Sequence, residues 1–137
     1  MARYSRSFTR ARYAEAAEAL EALLQMPYRI ARRTSNHAHE TGVIATDLGR
    51  IRLQLDLSGK WFANDHPLLA ESYRATLALV EAEVAPRLAA AWAAPASADA
   101  PFADADPQVV SAVRRWQRTA KLRFFPGRLL LPVLLRR

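Results

Sequence analysis

Residues 43–62 read VIATDLGRIRLQLDLSGKWF, and the period of their apolar residues decides the fold. Ile51, Leu53, Leu55 and Leu57 alternate with polar neighbours, which is the pattern of a half-buried strand. The same stretch also has helical order. Ile44, Leu48, Ile51, Leu55 and Phe62 fall on one face of a helix, and Leu53, Leu57 and Trp61 fall on the opposite face. Its residues are mostly Leu, Arg, Gln and Asp, whereas strands favour β-branched types. The reading taken is a helix apolar on two sides, with a β-hairpin bounded by Gly49 and Gly59 as the alternative. A helix of that kind sits centrally in a bundle or is shared with a partner.

The surroundings also favour helix. The 137 residues suit one domain, 51% of them are hydrophobic, and alanine and leucine dominate over four glycines. Upstream, Ser7 or Thr9 can cap a first helix running to about Gln25. Tyr13, Ala17, Leu20 and Leu24 line one face of it. Pro27 is expected to end, kink or restart that helix, with a short second helix over 28–40. Downstream, Asn64 or Asp65 caps a long helix with Pro67 in its first turn. Leu69, Tyr73, Leu77, Val80, Val84, Leu88 and Trp92 form its stripe, and Pro86 should kink it. Residues 93–107, AAPASADAPFADADP, read as a flexible acidic linker. Asp106 and Pro107 then open a last helix, with Val109, Val113, Trp116, Ala120 and Phe124 on its inner face. The fold class is therefore mainly α, a small bundle of four to five helices with a kinked long helix. Residues 1–92 form the bundle core, and 108–137 add a basic helix and an apolar tail to the same domain.

Charge is distributed in blocks. Residues 1–13 carry Arg3, Arg6, Arg10 and Arg12 without an acid, whereas residues 61–107 carry two cations against seven acids. Residues 108–137 carry eight cations and no acid. Arginines attract phosphates irrespective of base sequence, so blocks of one sign point to an anionic partner such as RNA or single-stranded DNA. Two sets are singled out for backbone contacts: Arg29, Arg32 and Arg33 on a 28–40 helix, and Arg114, Arg115, Arg118 and Lys121 on the outer face of the last helix. The aromatics interleaved with the second set, Trp116 and Phe124, belong to the apolar face.

Little in the chain points to catalysis. There is no cysteine, which excludes disulfides and thiolate metal sites. His37 and His39 lie two residues apart, a spacing at which they cannot grip one metal together on a helix. No glycine loop cradles a phosphate, and no nucleophile, base and orienting group are set together. The expectation is a protein that is not an enzyme and needs no cofactor. The N-terminus lacks an apolar signal core, and LLLPVLL (129–135) is too short to span a bilayer. A cytoplasmic location is expected.

In size, helicity and basic charge, over roughly residues 9–124, the chain resembles the small helical subunits of CRISPR effector complexes. That resemblance implies a subunit that stacks along a larger complex and supports the guide–target duplex and the displaced strand. Its partners would be nucleic acid, larger protein subunits and copies of itself. A second resemblance, carried by RRTSNHAHETG and DHPLLAESYRATLALVEAEV, is to small structural proteins of phage-like particles, such as neck or tail-completion components. A third reading places LRFFPGRLLLPVLLRR (122–137) on an anionic membrane surface, although Pro126 and Pro132 break its helix.

Overall fold

The computed structural model describes residues 6–124, with side chains from 10 to 118. They form four helices: α1 (Arg6–Ala31), α2 (Ala38–Asp65), α3 (Pro67–Ala93) and α4 (Pro107–Phe124). Contacts between neighbouring helices run in opposite directions along the chain. Arg52 meets Glu81 and Phe62 meets Tyr73, while Tyr28 meets Ala105 and Tyr13 meets Gln117. The result is an up-down-up-down bundle. α1 and α3 each touch every other helix, whereas α2 and α4 lie across from one another.

Residues 43–62 are entirely helical, and no strand occurs among the described residues. The hairpin alternative is thereby corrected. Ile44, Leu55 and Phe62 are buried, and Leu48 and Ile51 pack against the core, so the whole helical face finds a partner. The segment is not central, however. Its opposite side faces outward, with Leu53 58% and Leu57 50% exposed. Ser58 is buried and accepts from Gln54 Nε2 at 3.1 Å, and Gly59 beside it lies close to the Tyr73 ring. The buried Tyr73 hydroxyl donates to the Leu55 carbonyl oxygen at 2.8 Å, and burial, assisted by the charge of Asp56, pushes its phenol upward.

Pro27 does not end α1. The helix continues through it to Ala31, so residues 28–31 are its last turn and no separate 28–40 helix exists. An internal proline costs an isolated helix about 3 kcal/mol. Here Leu20, Leu23, Leu24 and Ile30 around it are buried, and burying such side chains stabilises by about 1.5–3 kcal/mol each. Tertiary packing therefore overrides the local signal. α2 and α3 are separated by His66 alone, whose non-helical backbone (φ −144°, ψ 70°) takes the capping position expected of Asn64 or Asp65. Pro86 lies inside α3. Asp106 caps α4 as expected, its Oδ1 accepting from the Gln108 N–H at 2.9 Å.

Residues 94–106 do not hang free as a linker. The Tyr28 hydroxyl donates to Asp104 at 2.7 Å and accepts from the Ala105 N–H at 3.2 Å. The Arg87 guanidinium lies over both the Phe102 and Tyr28 rings, at 4.8 and 5.2 Å. The segment is a strap across one end of α1 and α3. At the other end Tyr13, Phe62, Tyr73 and Trp116 form a ring cluster, with Trp116 5.4–5.9 Å from the other three.

Candidate nucleic-acid interface

The inner face of α4 is set by Val109, Ala112, Val113 and Trp116, all buried against α1 and α3. Helical periodicity then turns Ser111, Arg114, Arg115 and Arg118 outward, and all four are exposed. Arg114 and Arg118 are one turn apart and border a groove between α1 and α4 of about 560 Å³, lined also by Tyr13, Ala17, Glu18 and Gln117. Two tethers hold α4 in this position. The Tyr13 hydroxyl donates to the Gln117 carbonyl oxygen, and Gln117 Nε2 donates to the Ala17 carbonyl oxygen at 3.3 Å. Burial raises the Tyr13 phenol, which keeps it a donor.

Because α1 and α4 are antiparallel, the first turns of α1, with Arg10 and Arg12, lie beside the last described turns of α4. Among the described residues, Arg10 and Arg12 of α1 are thus brought toward the end of the bundle where Arg118 of α4 lies. Arg12 also pairs with Glu15 at 2.6 Å. Glu18 makes the groove floor mixed in charge, so phosphate contacts are best made on the outward face of α4. Sequence reasoning did not place Arg10 and Arg12 in the site. The signal for them was the charge blocking itself, combined with an even number of antiparallel helices, which sets the start of the first helix beside the end of the last.

The other sequence-picked set does not form a stripe. Arg33 is buried, 3% exposed, and its guanidinium is saturated with acceptors. Nη1 donates to Ile30 O at 2.8 Å and Ala91 O at 2.9 Å, Nη2 to Ala94 O at 2.9 Å and Trp92 O at 3.3 Å, and Nε to Asn36 Oδ1 at 2.9 Å. It also lies 5.2 Å from the centre of the Trp92 ring. The last carbonyls of a helix have no partners within the helix and carry its negative dipole end, and Arg33 satisfies both needs for α3. It cannot reach a phosphate, and its assignment to the interface is corrected. Arg29 turns toward α2 and pairs with Asp47 at 2.7 Å. Arg32 donates to Ala100 O at 3.3 Å on the strap. The three therefore point to three different neighbours.

Lys121 lies on α4, but its side chain falls outside the described residues, as do Phe124 and the whole tail 125–137 on which the membrane-surface reading rests. No helix among the described residues is long and apolar enough to cross a membrane. Among them, no group of His, Cys, Asp and Glu could hold a metal ion. His37 and His39 are exposed, and Glu40 is committed to the loop between α1 and α2. It accepts from the Ser35 hydroxyl at 2.7 Å and from the Ser35 and Thr34 N–H groups at 2.8 and 3.0 Å. These bonds, the Ser35 hydroxyl foremost, hold its carboxyl down at about 2. No protein-family model matches the chain, and comparison with curated proteins and with solved structures finds no match.

Proposed function

We propose that this protein is a non-enzymatic accessory subunit of a ribonucleoprotein complex, in the manner of the CRISPR effector small subunits it resembles. It holds the backbone of RNA or single-stranded DNA without reading base sequence, and larger protein subunits are its other partners. The observation that carries the reading is the outward face of α4, where Arg114, Arg115 and Arg118 are exposed at the end of the bundle that also gathers Arg10 and Arg12. Cations on one rigid helix can meet several phosphates at once, and each neutralised phosphate releases counterions. The two rings that could be mistaken for stacking platforms argue for a backbone mode instead. Trp116 is buried, and Tyr13 is 7% exposed.

The test is fluorescence anisotropy of a labelled single strand, titrated with the full chain over a range of salt. Log affinity should fall linearly with log salt. Replacing Arg114, Arg115 and Arg118 together by Glu should abolish binding, and replacing them by Ala should reduce the salt slope by about two, at ~0.7 per single-strand phosphate. Unchanged affinity in the Glu variant overturns the site.

A further inference from the structure

The groove between α1 and α4 runs beside the basic face, and backbone binding alone leaves one of its walls unused. Two of its hydrogen-bonding side chains are committed within the bundle. The Tyr13 hydroxyl donates to the Gln117 carbonyl oxygen, and Gln117 Nε2 donates to the Ala17 carbonyl oxygen at 3.3 Å. Glu18 is different. It stands exposed on the α1 side of the groove, and no hydrogen bond or ion pair among the described residues engages it. Because Gln117 meets both Tyr13 and Ala17, the antiparallel register sets Glu18 near the level of Arg114, with Arg118 one turn further along α4. Among the described residues, two cations and one anion therefore border the same cleft of about 560 Å³.

A phosphate suits the two arginines, which only donate, but Glu18 repels it. A ligand that suits all three carries a hydroxyl donor beside its anionic groups. In a nucleic-acid strand that donor is the ribose 2′-hydroxyl, which DNA lacks. We propose that the strand held by this protein is RNA, and that Glu18 accepts a hydrogen bond from a ribose 2′-hydroxyl while Arg114 and Arg118 take the phosphates on either side of that sugar. Four residues at about 1.5 Å each set the two arginines about 6 Å apart along the helix, close enough to serve one nucleotide. The phosphates stay on the outward side of α4, the sugar edge turns into the groove, and no base is read. The inference rests on the nucleic-acid reading above and chooses between the RNA and DNA that it leaves open.

Fluorescence anisotropy with the full chain tests it on three labelled probes: a short oligouridylate, its 2′-deoxy counterpart and its 2′-O-methyl counterpart. The methyl group removes the donor while leaving the charge and a ribose in place. The RNA should bind about tenfold more tightly than either of the others, as a hydrogen bond to a charged acceptor allows. Glu18→Ala should bring the three affinities together. Glu18→Gln removes the charge but keeps an acceptor, and should retain part of the preference. Glu18 is exposed, so both variants should keep the wild-type thermal midpoint. A Glu18 that only repels the strand would show itself differently, with Ala and Gln both raising the affinity of all three probes alike. That result, or equal affinity of the wild-type chain for the three probes, overturns the proposal and leaves backbone binding standing. Binding of none of the probes by the wild-type chain overturns the nucleic-acid reading together with it.

Discussion

The chain spells two arginine clusters almost as mirror images, RIARR at 29–33 and RRWQR at 114–118. In the folded protein they have nothing in common. The first ends a helix at the closed end of the bundle. There the carbonyls closing α3, the acid of α2 and the strap each claim one guanidinium. The second lies on a helix that packs on α1 and α3 through its apolar face. No ion pair among the described residues involves its arginines. Composition counts cations, but what surrounds each one decides whether it is a fastener or a surface.

The contrast can be broken at either end. The largest effect is expected from the α4 triple change to Glu, which should remove strand binding while leaving the thermal midpoint near the wild-type value, because exposed side chains contribute little to stability. Arg33→Ala should do the reverse. It orphans buried carbonyls and should cost about 3 kcal/mol in denaturant unfolding with strand affinity per folded molecule intact. Arg33→Lys should not restore it, since an ammonium cannot reproduce a planar fork spread over five acceptors. Arg29→Ala removes a half-exposed ion pair and should change stability by no more than about 0.5 kcal/mol. If Arg29→Ala instead weakens strand binding as much as the α4 change, the two clusters are more alike than the geometry says.

A pH titration sharpens the comparison at the loop that follows the first cluster. Glu40 titrates at about 2 in the folded chain, below its ordinary value of 4.5. Its contribution is therefore complete above pH 4.5 and is lost as pH falls from there toward 2. The thermal midpoint should drop across that window. Glu40→Gln should start lower at neutral pH and show a shallower acid loss, measured by circular dichroism.

The helical stripes of 13–24, 69–92 and 109–116 were legible because one-sided apolar periodicity in Ala- and Leu-rich sequence has one cheap solution. Asp106–Pro107 was legible as a helix start because the cap is a local hydrogen bond. Pro27 misled because its cost is local, while the burial that outweighs it comes from other helices. The strap misled for a related reason. Ala, Pro and Asp composition signals a free linker, but Phe102 within it is a small apolar anchor, and its cradle of Tyr28 and Arg87 is remote in sequence.

By itself the sequence determined the helical class, the identity of most core residues and the blocking of charge, all of which follow from local propensity and period. Only the tertiary structure decided which arginines remain outside, that Arg10 and Arg12 come to the end of the bundle where Arg118 lies, and that one side of the 43–62 helix goes uncovered. Those outcomes depend on distances between residues tens of positions apart, and helix packing fixes them.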